Sequence, residues 1–104
     1  MSWVYLFLAG LLEIGWALGL KLSDGFSKPW PTTFTIVSLI LSMGLLGLAL
    51  RTLPLGTAYA IWTGIGAVGI AIIGMIWFGD GVTFARIVCI ALIVAGIVGL
   101  KLSA

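Results

Sequence analysis

The fold class this sequence predicts is all-α and membrane-embedded, with four transmembrane helices, and three observations predict it. Apolar residues make up 62% of the chain and charged residues 8%, with a mean hydropathy of +1.34, a balance far from that of a water-soluble domain. The apolar residues fall into four stretches, each close to the roughly 20 residues a helix needs to cross about 30 Å of hydrocarbon. The gaps between them are short and hold all 3 prolines.

The first span, about Trp3 to Leu20, lacks a basic leader stretch, carries Glu13 in its apolar run and shows no small-residue cleavage site before Lys21. It is expected to be a retained helix, not a signal peptide. It ends in "KLSDGFSKPWP", where a glycine and two prolines interrupt the helix. The second span, Thr32 to Leu50, stops at "RTLPLG" with Pro54, and the third, Thr57 to Phe78, stops at "GDGVTF", where two glycines flank Asp80. The fourth runs from Ala85 to Leu100. No stretch remains for a soluble domain, so residues 1–104 are expected to form one integral, multi-pass membrane domain. The segment "GLKLS" closes both the first and the last span, at 19–23 and 99–103, but it marks a shared apolar-to-basic ending and no repeat.

Some chemistries are excluded by ligand count. With one cysteine, Cys89, and no histidine, the chain supports neither an internal disulfide nor a zinc site, and no cofactor or metal is expected. The five basic residues are spread over loops and helix ends, which makes nucleic acid a poor partner. Their distribution bears on topology instead. Four spans put Lys21, Lys28 and Arg86 on one face of the membrane and Arg51 and Lys101 on the other. Orientation follows a clear excess of Lys and Arg on one side, and here the excess is a single charge, so insertion in both orientations is expected.

Glu13 is the residue that needs an explanation. Ten residues beyond Trp3, at about 1.5 Å each, it lies roughly 15 Å deep, near the midplane. A carboxylate there costs about 2.5 to 3.5 kcal/mol on insertion scales, and no Lys or Arg inside its own span can pair with it. Protonation, a bound cation or polar partners on neighbouring helices must compensate, and a site that exchanges the first two is a proton-coupled cation site. A purely structural hydrogen bond is the bland alternative.

Helical spacing puts Gly10, Trp16 and Ala17 beside Glu13, the small residues opening space and the indole adding a donor. In the second span Thr35, Ser38, Ser42 and Ala49 form a small, weakly polar face, able to bond a carboxylate or simply to pack closely. In the third, "TAYAIWTGIGAVG" aligns Tyr59, Trp62, Gly66 and Gly69 on one stripe. Aromatic faces near a carboxylate suit an organic cation. Interfacial anchoring accounts for Trp3, Trp30 and Trp77, whereas Trp62 lies inside its span and is the better site candidate. Glycines at 64, 66 and 69 lower helix propensity and are expected to permit close packing or a bend. In the fourth span Ala91, Ala95 and Gly99 follow a small-xxx-small spacing suited to helix packing and a dimer interface.

The segments "GLLEIGWALGLKLSDGF", "LPLGTAYAIWTGIGAVG" and "ALIVAGIVGLKLS" resemble the small multidrug resistance transporter family, and Glu13 with Trp16, together with "YAIWTGIG", resembles its guanidinium-exporter subgroup. The likeness runs the whole length of the chain. It implies an antiparallel, dual-topology homodimer of oppositely inserted copies in the inner (plasma) membrane, with one site shared by both central glutamates and protons exchanged for a cationic substrate. Carried over by position, it makes Glu13 the residue contested by proton and substrate, with Trp16 and Ser42 as hydrogen-bonding partners, Gly10, Tyr59 and Trp62 lining the pocket, and Gly64 and Gly66 as the hinge. One departure is Asp80, where relatives more often carry a glutamate; a looser loop is expected there.

A guanidinium ion stays protonated at physiological pH, crosses lipid poorly, and presents a planar fork that matches a carboxylate bidentately. The expected function is therefore proton-coupled export of guanidinium and small guanidinyl cations. A broad quaternary ammonium or multidrug cation exporter would share Glu13 but need a wider pocket than Trp16 suggests. A small dual-topology channel, or a membrane assembly subunit, would leave Glu13 without a task.

Overall fold

The structure is a computed structural model and describes residues 2–103. Four helices follow one another, α1 (Ser2–Leu22), α2 (Pro29–Ala49), α3 (Leu55–Trp77) and α4 (Phe84–Ser103), each long and apolar enough to cross a membrane. All four expected spans are present, with ends displaced by up to three residues. α2 begins at Pro29 and not at Thr32: Lys28 is extended at φ −104 and ψ 121, and the prolines sit in the first turn, where a missing N–H costs nothing. α4 continues past Leu100 through Lys101, a cation favoured beside the carbonyl end of a helix, to Ser103, whose hydroxyl donates to the Gly99 carbonyl at 2.7 Å.

The α1–α2 turn is built on Ser23, which is buried. Its hydroxyl donates to the Leu20 carbonyl at 2.7 Å and accepts from the Phe26 amide at 3.1 Å, while its carbonyl takes the amides of Ser27 and Lys28. Asp24, Gly25 and Phe26 all have positive φ, at 48°, 71° and 67°, which reverses the chain within a few residues. The α3–α4 turn leaves α3 through Gly79 at φ 72°, the left-handed conformation that ends helices. Asp80 folds back on α3. Its amide donates to the Gly74 carbonyl at 3.0 Å, and its carboxylate lies so close to Gly74 that a Cβ there would overlap it.

α1 is the central helix, packed against α2 on one side and α3 on the other, and α4 packs along α3. The result is a slab of 40 × 35 × 17 Å, its thin dimension about one and a half times the roughly 10–12 Å diameter of one helix with side chains. α2 and α3 also touch, through Trp62 and Ser42, so α4 is left at the edge against α3 alone. The buried apolar cluster, Leu6, Ala9, Leu46, Ala49, Ala58, Ile61 and Trp62, joins α1, α2 and α3, and the buried hydroxyls Thr35, Ser38 and Ser42 line the face that α2 turns to α1. Close approach is allowed by Gly19, where a Cβ would strike Thr35 and Phe34. No residue of α4 is buried. Ala91, Ala95 and Gly99 lie exposed on it, and the Lys101 ammonium sits 5.5 Å over the Trp3 ring, linking the end of α4 to the start of α1.

Candidate functional site

Glu13 is the twelfth of the 21 residues of α1, so its backbone stands midway along a helix about 31 Å long. The carboxylate projects toward α3 and rests on Gly66, where a Cβ would overlap it. A bare backbone at position 66 is thus what lets the carboxylate fit between the helices. Around it lies a cavity of about 240 Å³ lined by Glu13, Trp16, Ala17, Thr63, Gly66, Ala67 and Ile70. Glu13 Oε1 and Trp16 Nε1 are both buried without a protein hydrogen-bond partner. An acceptor and a donor, each normally satisfied when buried, therefore stand unfilled beside one cavity.

A second cavity of about 380 Å³, sharing Ile70 with the first, is lined by Leu18, Lys21, Ile70, Ile73, Gly74, Phe78 and Asp80.

The other anticipated site residues form a separate, adjoining cluster. The Trp62 indole N–H donates to Ser42 Oγ at 3.0 Å, and the Ser42 hydroxyl donates to the Ala9 carbonyl at 2.7 Å. These two bonds clasp α3, α2 and α1 together, and they use the Ser42 hydroxyl hydrogen away from Glu13. The expectation that Ser42 and Trp16 hydrogen-bond the carboxylate is thus not met within the single chain, because Ser42 has a nearer acceptor and the Trp16 donor is unpaired. Ser42 still bears on Glu13 indirectly. In an α-helix the amide of residue 13 bonds the carbonyl of residue 9, the same carbonyl that Ser42 holds. Tyr59 stacks edge-on against Trp62 with ring centroids 5.6 Å apart, yet it is exposed and lies outside the Glu13 cavity. Gly10 is buried against Ile65, whose side chain a Cβ would overlap, so it serves α1–α3 packing in this chain.

α3 is continuous helix through the anticipated hinge. Gly66 makes room for Glu13, and Gly64 faces Ile97 of α4 with no space for a Cβ beside it. Three lining residues, Thr63, Ala67 and Ile70, were not anticipated. They lie next to the stripe of Tyr59, Trp62, Gly66 and Gly69, and the signal that could have found them is position: Thr63 and Ile70 share the Gly66 side of α3 by i−3 and i+4 spacing, and Ala67 follows Thr63 at i+4.

Residues 1–93 match the profile of the family described as Small Multidrug Resistance protein. A protein of Salmonella typhimurium strain LT2 named guanidinium exporter is 58% identical over 104 residues, covering 100% of this chain and 99% of its own length. Proteins of the same name from Proteus vulgaris and Citrobacter freundii are 57% and 55% identical over 103 residues, covering 99% of this chain and 99% and 98% of their own. A match of this extent, on a chain of four membrane-spanning helices with an unpaired carboxylate at midspan, has one reading: the chain belongs to the small multidrug resistance family.

Proposed function

We propose that this chain exports guanidinium ion and small guanidinyl cations across the inner membrane in exchange for protons, working as an antiparallel homodimer of oppositely inserted copies. The observation that carries the proposal is the Glu13 carboxylate, unpartnered at Oε1 beside a cavity in the middle of an apolar span. Relatives of near-identical length that are named guanidinium exporter support the substrate.

The chemistry follows from the residues. A carboxylate in hydrocarbon is stable when it is protonated or when it holds a cation, and the two occupants exclude one another. A guanidinium fits it with two parallel N–H···O bonds, and the Trp16 indole N–H, free at the same cavity, is available to orient the carboxylate. Because guanidinium carries its charge at all physiological pH, release depends on a proton replacing it at Glu13, and the inward proton gradient drives the cation outward. The unburied α4 and the one-charge bias of the loops support pairing with an inverted copy that would bring a second Glu13 to the site.

The test is transport in proteoliposomes carrying an imposed pH gradient. Wild type is expected to move guanidinium against its gradient while dissipating the proton gradient, and Glu13→Gln, which keeps the shape but holds neither occupant, is expected to do neither. Proton-driven guanidinium movement by Glu13→Gln would remove Glu13 from the mechanism. Passive guanidinium leak through wild type without proton movement would favour a channel.

A further inference from the structure

The cavity beside Glu13 has three polar side chains among its lining residues, Glu13, Trp16 and Thr63; Ala17, Gly66, Ala67 and Ile70 carry none. Glu13 supplies acceptors and Trp16 a donor. Thr63 supplies a hydroxyl, and its position is well defined. It lies one turn before Gly66 on α3, the glycine against which the Glu13 carboxylate rests, and it lines the same cavity. Several hydroxyls of the bundle are spent on backbone carbonyls, Thr33 on Pro29, Thr35 on Pro31, Ser42 on Ala9 and Ser103 on Gly99, while the buried Thr32 hydroxyl has no partner but lies outside the Glu13 cavity. Thr63 is exposed, facing the cavity.

The chemistry of a guanidinyl cation makes this hydroxyl significant. Such an ion has N–H donors around its whole plane and no acceptor. One carboxylate satisfies two of them in a fork, and the Trp16 indole, being a donor only, satisfies none. Donors on the far edge of the ion need an acceptor on another part of the wall, and the Thr63 oxygen is the remaining acceptor among the lining side chains. A quaternary ammonium ion has no N–H and draws no benefit from it.

Building on the proposed guanidinium function, we propose that Thr63 is a second substrate contact, whose hydroxyl oxygen accepts a hydrogen bond from an N–H of a guanidinyl cation held at Glu13. The contact makes recognition two-sided, with a charged fork from α1 and a neutral acceptor from α3, and it selects for donor-bearing planar cations over alkylated ones. Its position on the helix across the cavity also means that a change in the α1–α3 separation alters both contacts together.

The experiment compares wild type with Thr63→Val, which replaces the hydroxyl by a methyl of similar size, and with Thr63→Ser, which keeps the hydroxyl and removes the methyl. Initial rates of proton-coupled guanidinium transport are measured in proteoliposomes over a range of concentrations. Thr63→Val is expected to raise the KM for guanidinium about tenfold, the equivalent of one hydrogen bond to a charged group, with kcat changed less than about twofold. Thr63→Ser is expected to stay near wild type. An unchanged KM in Thr63→Val overturns the contact while leaving the guanidinium function intact, and so does equal impairment of the Val and Ser variants, which would make the side chain a packing element. If wild type itself fails to couple guanidinium to protons, the function falls and the contact with it. Should Thr63→Val be poorly inserted, Thr63→Ala takes its place as the variant without an acceptor, and Thr63→Asn, which carries one in a larger side chain, decides the point: an Asn variant with guanidinium KM below that of Ala supports the acceptor role, and one equal to it refutes it.

Discussion

The clasp of Trp62, Ser42 and Ala9 is open to a quantitative test. Ser42→Ala removes the hydroxyl that accepts from the Trp62 indole at 3.0 Å and donates to the Ala9 carbonyl at 2.7 Å. The Ala9 carbonyl keeps its helical bond, but the Trp62 N–H, on a side chain 6% exposed, is left without an acceptor. Interhelical hydrogen bonds in membranes are worth about 0.6 kcal/mol on average and up to about 1.7, so losing two, with one buried donor orphaned, is expected to cost about 1–3 kcal/mol of stability. Reversible unfolding in mixed micelles measures it, and a cycle with Trp62→Phe isolates the shared term. Because both variants break the same bond, their effects are expected to fall short of additivity by about 0.5–1.5 kcal/mol. A Ser42→Ala protein as stable as wild type, or strictly additive effects, would refute the clasp as a brace between helices. The clasp also bears on transport, since it holds the carbonyl to which the Glu13 amide bonds, and the apparent guanidinium affinity of Ser42→Ala is expected to weaken alongside its stability.

Two further outcomes are expected. Gly66→Ala adds a Cβ where the Glu13 carboxylate rests and should lower guanidinium transport about tenfold or more through misplacement of the carboxylate, while the bundle stays folded because alanine is the better helix former by about 1 kcal/mol; wild-type kinetics in this variant would mean the carboxylate sits elsewhere during transport. Adding lysines to the loops on the face of Arg51 and Lys101, or on the face of Lys21, Lys28 and Arg86, should lock each variant in one orientation, with little transport by either alone and recovery on co-expression; normal transport by one locked variant, verified by cysteine accessibility, would rule out the antiparallel pair.

The membrane-embedded class, the four spans and the isolated midspan carboxylate were all legible in the sequence, because each follows from distance along one helix and from the cost of polar groups in hydrocarbon. Helix ends were legible to within three residues, the two largest errors lying at the start of α2, where Pro29 and Pro31 read as breakers but sit where a helix tolerates them, and at the end of α4, which continues past Leu100 through Lys101. The pattern of "YAIWTGIG" made Trp62 and Gly66 candidates without saying what each would touch. Tertiary structure decided that Trp62 and Ser42 bond each other, that Tyr59 stays outside the cavity, that Gly66 abuts Glu13, and that Thr63 faces the same space. The reason is physical. In water a helix turns its apolar stripe inward, and the stripe can be read from the sequence; in lipid the surroundings are as apolar as the protein interior, so the rotation of α3 against α1 is set by side-chain fit and a few interhelical hydrogen bonds, which exist only once the helices have met.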